Sequence, residues 1–133
     1  MSAKERRPLP EARLPLLGDR GVVLRRHRLG DAAEIWEQCQ DAEMVRFTMV
    51  PVPYTTADAE DFLKLVERGW VDGTMAAFAI EVGGRFAGTI DLRMRDDGGW
   101  AEVGYGLAPW ARGRGVMTEA VRLALRWAST NWD

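Results

Sequence analysis

The sequence is poor in the two residue types that build disulfides and metal sites. A single Cys39 and a single His27 stand among 133 residues. One cysteine cannot form an internal disulfide, which excludes a disulfide-stapled domain and fits a reducing compartment, so we expect a cytoplasmic protein. One histidine and one cysteine also cannot assemble the usual ligand shell of a transition metal, so we predict no metal site.

The chain also lacks a strong charge of either sign and any long apolar run. Its 18 basic and 20 acidic residues leave a net charge of −2, whereas a nucleic-acid-binding domain usually carries a basic excess. A transmembrane helix needs an apolar run of about 18 residues or more, and none appears. The first residues mix prolines with arginines and do not form a secretory signal. We therefore expect neither a nucleic-acid partner nor a membrane partner.

The sequence contains enough hydrophobic residues to form one core. Hydrophobic residues make up 47% of the chain, and its 14 glycines follow no period. A chain of this length buries roughly two-thirds of the surface that it exposes when unfolded. We predict one domain over residues 21–133. Residues 1–20 are expected to form a flexible N-terminal arm, because prolines among charges disfavour a helix or a central strand.

The first half of the domain is predicted to hold one strand and two helices. The strand begins at Gly21, and Asp31 and Glu34 resemble a capping box at the start of a helix of about ten residues. The run Thr55–Asp58 is typical of the cap of a second helix. Tryptophans at helical spacing with other apolar residues are expected in the core. They are Trp36, Trp70 and Trp127.

The second half changes to a period of two. Strands are predicted over 75–82 and 85–94, joined by Gly83-Gly84, which is typical of a two-residue hairpin turn. A further strand covers 100–107, and a last helix runs from Arg114 to about Thr130. The order strand, helix, helix, three antiparallel strands, helix predicts an α/β fold with a mixed sheet.

Alternation along the strands assigns side chains to faces of the predicted sheet. Phe86 and Ile90 are expected on one face, and Thr89 and Asp91 on the other. His27 follows the first strand directly and stands beside arginines. We expect it at the surface or in a site for an acceptor substrate.

The segment after the strand 100–107 gives the strongest functional signal. The strand leads into a loop with Gly113 and Gly115 and then directly into a helix. The first turn of a helix offers unpaired N–H groups and the positive end of the dipole, and glycines allow a ligand to approach the backbone closely. Arg112 and Arg114 add positive charge, so the segment predicts a phosphate cradle. The alternative is an ordinary helix entry with solvated arginines.

At this segment the sequence resembles a known family. Arg112-Gly113-Arg114-Gly115-Val116-Met117 resembles the Arg/Gln-x-x-Gly-x-Gly/Ala pyrophosphate signature of the GNAT acetyltransferase superfamily, although Met117 stands where Gly or Ala is usual. With the preceding Ala-Glu-Val-Gly-Tyr strand and Ala-Pro-Trp loop, it is similar to the branch that acetylates the N-termini of ribosomal proteins. The resemblance covers residues 21–133 and agrees in element order.

The resemblance implies a GNAT-like acyl-CoA N-acyltransferase fold that is incomplete. The family's fifth strand, fourth helix and last hairpin have no counterpart in this sequence. We therefore expect a C-terminally truncated copy of the domain. The alternative is that a partner, such as a second copy in a homodimer, supplies the missing sheet edge.

The resemblance also implies a reaction and its site residues. Acetyl-CoA would be the co-substrate, and the acceptor a primary amine of a protein or peptide N-terminus or of a small molecule. Helix N–H groups would hold the pyrophosphate, and the pantetheine arm would pair with the end of the strand 100–107. The expected cofactor-binding residues are Leu107, Ala108, Arg112, Gly113, Arg114, Gly115, Val116, Met117 and Thr118.

The candidate general base is Glu102, since an amine that is protonated at neutral pH must lose a proton before it attacks. The structural alternative is that Glu102 is only a charged residue on an exposed strand face. The family's usual general acid, in its fourth helix, has no counterpart here. Two other functions stay open: a coenzyme A-binding module without catalysis, and an inactive fragment that needs a partner.

Overall fold

The structure is a computed structural model that describes residues 7–10, 14–40, 53–94 and 100–131. In this part of the chain, five strands form one antiparallel sheet in the order of the sequence. The strands are β1 (Leu16–Leu17), β2 (Val22–Arg25), β3 (Met75–Val82), β4 (Arg85–Met94) and β5 (Trp100–Leu107). The helices are α1 (Ala32–Gln38), α2 (Thr56–Asp72) and α3 (Val116–Asn131). The predicted order is confirmed, with β1 as an additional short strand.

The sheet is covered on both faces by helices. Side chains alternate between the faces along β3, so Phe78 and Ile80 point to one side and Ala79 to the other. On the first side they pack against α3, where the rings of Trp70, Phe78 and Trp127 meet edge to face at centroid distances of 5.4 to 5.6 Å. On the second side Ala79 packs against residues of α1 and α2. Trp70 and Trp127 are core residues, as predicted.

A bulge in β4 changes which face its first residues occupy. Opposite the step from Ile80 to Glu81, β4 carries one extra residue, Ala87. Phe86 packs in the cluster under α1 and α2, whereas Ile90 packs in the cluster under α3. The expectation that Phe86 and Ile90 share a face is therefore wrong, because one extra residue reverses the alternation.

Helix α2 begins as the sequence predicted. The Thr55 hydroxyl accepts a hydrogen bond from the Asp58 N–H at 3.1 Å, and the Asp58 carboxylate accepts one from the Thr55 N–H at 2.8 Å. At the other end Gly73 adopts the left-handed conformation with φ 74°. This reciprocal cap and glycine stop fix the length of α2.

Helix α1 begins differently from the prediction. The Asp31 carboxylate does not cap the helix; it accepts two hydrogen bonds from the Arg25 guanidinium at 2.8 and 2.9 Å and one from the Arg28 N–H at 2.9 Å. The helix has 7 residues. Its inner face holds Ile35, and Trp36 is one position away and 37% exposed, so the expectation of a core Trp36 is wrong.

Part of the predicted N-terminal arm is packed against the domain. The buried Leu9 donates its N–H to the Trp70 carbonyl at 2.9 Å, and β1 pairs with β2. A Cβ on Gly18 would lie 2.5 Å from a Glu119 oxygen, so this segment lies directly on α3. Prolines exclude a central strand, but they allow a short edge strand such as β1. The expectation of a loose arm therefore fails for these residues.

Glu119 ties this segment to α3. Its carboxylate is buried and accepts hydrogen bonds from the Arg122 Nε at 2.7 Å and from the Asp19 N–H at 2.7 Å. These bonds, that of Arg122 first, lower the pKa of Glu119 from its usual 4.5 to about 2. The ionised form of Glu119 thus contributes to the stability of the fold.

The Glu119→Gln variant tests this contribution. A carboxyl with a lowered pKa in the folded state stabilises the fold above its usual pKa of 4.5, and loses this effect as the pH falls toward about 2. We expect Glu119→Gln to lower the free energy of unfolding at pH 7 by about 1.5–3 kcal/mol, the range for a hydrogen bond to a charged group. Urea unfolding at a series of pH values measures the difference.

The difference in free energy of unfolding between the wild type and Glu119→Gln should shrink as the pH falls from 4.5 toward about 2. Glu60→Gln, which changes an exposed carboxylate on α2, is the matched control and should leave the free energy of unfolding unchanged. A difference that stays constant from pH 7 down to about pH 2 would show that ionisation of Glu119 plays no part.

Candidate functional site

The end of β5 is fixed by one hydrogen bond to the bulge of β4. The Ala108 N–H donates to the carbonyl of Ala87 at 2.7 Å. Because backbone groups alternate in direction along an antiparallel strand, those of Leu107 point away from β4. The Leu107 carbonyl accepts a hydrogen bond from the Arg112 Nε at 3.1 Å on that side. In the described sheet β5 is an edge strand, so the Leu107 N–H lies along its open edge.

Ala108 differs from the expectation for a pantetheine-binding residue. Its N–H is bonded to Ala87, and its carbonyl accepts a hydrogen bond from the Ala111 N–H at 3.0 Å. Both backbone groups are therefore already used inside the chain. Of the two expected residues, Leu107 offers the outward-facing backbone.

The loop before α3 owes its shape to two glycines. Gly113 and Gly115 adopt positive φ angles of 74° and 73°, a conformation that L side chains rarely adopt. A Cβ on Gly113 would meet no atom of the described chain within 4 Å, so the loop surface there is open. The Glu119 N–H donates to the Gly115 carbonyl at 3.1 Å. In the described chain this leaves three N–H groups without a partner inside the helix: those of Val116, Met117 and Thr118.

Positive charge gathers around the start of α3. Arg114 is exposed, and Arg112 reaches back to the end of β5. Arg20 was not among the expected site residues, yet its Nε and Cζ lie 3.5 Å from the point where a Cβ on Gly115 would stand. The contact of Asp19 with Glu119 brings Arg20 there from a distant part of the chain. The helix dipole and these guanidinium groups together favour an anionic ligand.

The candidate base lies on the neighbouring part of β5. In the strand register Glu102 stands opposite Arg93, and its side chain lies outside the described part of the structure. Arg93 donates from Nε to a carboxylate oxygen of the buried Asp91 at 3.1 Å. A Cβ on Gly104 would lie 3.0 Å from both Asp91 oxygens, so the glycine makes room for that carboxylate.

His27 lies beside α2 and is partly buried. Its Nε2 is 2.9 Å from the Thr89 hydroxyl, and its ring meets Phe62 edge to face at 5.6 Å. Its Nδ1 is buried and has no hydrogen-bond partner in the described structure. Burial lowers the pKa of His27 to about 4, so the ring is neutral at pH 7. The structure thus places the ring in a partly buried aromatic layer beside α2.

Two kinds of site are absent from the part of the chain that the structure describes. No three side chains of His, Cys, Asp or Glu in it come together as ligands for a metal ion. None of the helices described here has the length and apolar character needed to cross a membrane.

Several solved structures share the fold. RimJ of Mycobacterium smegmatis, solved with CoA-disulfide, matches with a TM-score of 0.70 and 23% identity over 88% of this chain and 61% of that chain. A putative ribosomal-protein-serine acetyltransferase from Vibrio cholerae matches with a TM-score of 0.68 and 17% identity, over 89% and 68%. The microcin C7 self-immunity acetyltransferase MccE, solved with acetyl-CoA and AMP, matches with a TM-score of 0.68 and 15% identity, over 84% of this chain and 64% of that chain.

These structural similarities establish the fold. This chain spans 61 to 68% of the length of the three proteins. A search of curated protein sequences finds no match. The family model of the acetyltransferase (GNAT) domain matches residues 22–133, from the first residue of β2 to the last residue of the chain. Since this match covers most of the sequence, the chain belongs to the GNAT acetyltransferase family.

Proposed function

We propose that the chain is an N-acetyltransferase that moves an acetyl group from acetyl-CoA to a primary amine. The observation that carries this proposal is the start of α3, where Gly113 and Gly115 open a helix N-terminus beside the free edge of β5. Membership of the GNAT family supports it. The CoA-disulfide in the structure of RimJ and the acetyl-CoA in that of MccE give further support.

The pyrophosphate of coenzyme A would lie at the start of α3. Backbone N–H groups there would donate to its oxygens, and the charges of Arg112, Arg114 and Arg20 would offset its negative charge. The donors proposed are the N–H groups of Arg114, Gly115, Val116, Met117 and Thr118. Because Gly113 carries no side chain and no atom of the described chain would lie within 4 Å of a Cβ there, a ligand can approach these groups closely.

The pantetheine arm would continue from the pyrophosphate along the open edge of β5. Leu107 presents its backbone on that edge, and an extended chain pairs with an edge strand through such groups. The same N–H can stabilise the oxyanion that forms when the amine attacks the thioester carbonyl. One such donor contributes about 3–4 kcal/mol to transition-state stabilisation where its removal has been measured.

The reaction is a direct transfer. The lone pair of the amine attacks the thioester carbon, the new C–N bond forms, and the C–S bond breaks to release the coenzyme A thiolate. An amine of pKa about 8–10 is mostly protonated at pH 7, so one proton must leave before attack and a second leaves the nitrogen afterwards. We assign proton removal to Glu102, acting directly or through water, and the thiolate takes up a proton as it leaves.

A second function differs only in the chemistry. The chain could bind coenzyme A without catalysing transfer, or catalyse only when a partner lies against β5. The open edge of β5 in the described sheet favours the need for a partner, because the backbone groups on that edge can pair with a strand from another chain. Coenzyme A binding is common to both functions, and release of free thiol with an amine separates them.

The variant Gly115→Val tests the pyrophosphate site. A β-branched residue at φ 73° strains the backbone and places its side chain against Arg20 at the mouth of the loop. We expect coenzyme A affinity to fall at least about tenfold, equivalent to about 1.4 kcal/mol. Isothermal titration calorimetry with coenzyme A measures this affinity.

The matched control is Gly83→Val, which places the same strain at φ 61° in the hairpin turn between β3 and β4. It should lower thermal stability by a similar amount and leave coenzyme A affinity unchanged. Equal loss of affinity in both variants would mean that Gly115 acts through stability alone. No heat with coenzyme A for the folded wild-type chain would refute the proposed function itself.

The variant Glu102→Gln tests the base. Loss of a general base reduces kcat/KM by about 10²–10⁴-fold, and the loss should be largest at low pH, where most of the amine is protonated. The measurement is thiol release from acetyl-CoA with a primary amine across a pH series.

Coenzyme A affinity should stay the same in Glu102→Gln, because Glu102 lies away from the start of α3 along β5. Glu60→Gln serves again as a control for loss of one exposed carboxylate. If Glu102→Gln keeps both the rate and the pH profile of the wild type, another group removes the proton.

A further inference from the structure

Arg20 lies at the start of α3 in a backbone conformation that arginine rarely adopts. Its φ of 60° and ψ of 24° fall in the left-handed region, and the next residue, Gly21, has a φ of 73°. Among the described residues, Arg20 alone combines a side chain with a positive φ. Such strain persists only where the surrounding structure holds it, and it is concentrated at functional sites.

The N-terminal turn, residues 18–21, is held against α3 by several contacts. The Gly18 N–H donates to the Val22 carbonyl at 2.8 Å, and the Asp19 N–H donates to the Glu119 carboxylate at 2.7 Å. A Cβ on Gly18 would lie 2.6 Å from the Cδ1 of Leu123, so the turn lies directly on the helix. These contacts keep Arg20 beside the first turn of α3.

The guanidinium of Arg20 is available to an anion. Arg20 is exposed and makes no hydrogen bond or ion pair with any other described residue. Its Nε and Cζ lie 3.5 Å from the point where a Cβ on Gly115 would stand. The nearby carboxylate of Glu119 is bonded to Arg122, and Asp19 contacts α3 through its N–H. The donors of the Arg20 guanidinium are therefore free to bind a ligand at the start of the helix.

The start of α3 lies between the end of β5 and the N-terminal turn. The loop that leads into α3 comes from β5, at one edge of the described sheet. The N-terminal turn precedes β2, near the other edge, and contacts α3 from there. A ligand whose pantetheine arm lies along β5 and whose pyrophosphate lies at the start of α3 would therefore extend next toward Arg20. In coenzyme A the group beyond the pyrophosphate is adenosine, which carries a 3′-phosphate on its ribose.

We propose that Arg20 binds the 3′-phosphate of coenzyme A, so that the chain selects coenzyme A over its form without that phosphate. A planar guanidinium can donate two parallel hydrogen bonds to a phosphate, and a charged pair of this kind is stronger than a neutral one. The inference rests on the proposed function, since it extends that site to the far end of the same ligand. It adds a residue outside the family match, which begins at Val22.

Dephospho-coenzyme A is the matched ligand, because it lacks only the 3′-phosphate. We expect the wild-type chain to bind coenzyme A at least about tenfold more tightly than dephospho-coenzyme A, as measured by isothermal titration calorimetry at low ionic strength. Arg20→Gln should reduce this preference to less than about threefold. Since Arg20 also lies near the proposed pyrophosphate site, the variant can weaken both ligands, and the preference between them isolates the 3′-phosphate.

Arg20→Gly gives an independent test, because its two effects have opposite signs. Glycine adopts a φ of 60° without strain, so thermal stability should rise or stay the same. The preference for coenzyme A should be lost, as in Arg20→Gln. Arg68→Gln removes one exposed guanidinium from α2 and should keep the preference of the wild type.

Equal affinity of the folded wild type for the two ligands would overturn this inference alone and leave the proposed function standing. A preference that survives in both Arg20 variants would also overturn it, because the 3′-phosphate would then be bound by another group. If the folded wild type binds neither ligand, the proposed function fails and the inference fails with it. Thermal melting of each variant shows that the measured affinities belong to folded protein.

Discussion

The hydrogen bond from the Ala108 N–H to the Ala87 carbonyl sets the geometry on which the functional region depends. It joins the end of β5 to the bulge of β4, and so it turns the backbone of Leu107 toward the open edge. The same bond fixes where the chain leaves the sheet, which in turn places the glycine loop and the first turn of α3. In the register of β4 with β5, Ala87 and Ala108 continue the ladder beyond Gly88 and Leu107, and the bulge at Ala87 interrupts only the pairing of β4 with β3.

The loop that follows this bond carries a cationic surface. At this loop the N-terminus of α3 lies close to the guanidinium groups of Arg112, Arg114 and Arg20. Coenzyme A is an anion, so this surface can draw it toward the start of α3.

The sequence predicted those parts of the structure that depend on neighbours along the chain. The strands of the β3–β4 hairpin follow from a period of two on either side of Gly83-Gly84, and the start of α2 follows from the capping residues Thr55 and Asp58. The prediction from sequence was wrong where a residue distant in the chain decides the local structure. Asp31 leaves the cap of α1 because Arg25 binds its carboxylate, and Arg20 lies at the start of α3 because its segment is held on α3, in part by the bond of Asp19 to Glu119. The glycine loop was found because it combines a local motif with a family signature, whereas the charge at its mouth depends on folding.

The described structure leaves two buried polar side-chain nitrogens without partners, and their surroundings give them different meanings. The Nδ1 of His27 sits in an aromatic layer, where burial keeps the ring neutral and the lost interaction is that of one neutral group. The Nε2 of Gln38 belongs to a side chain that lines a cavity beside the proposed reaction path. An unpaired buried amide costs about 1–3 kcal/mol, so this glutamine does not stabilise the fold as the apolar residues around it do.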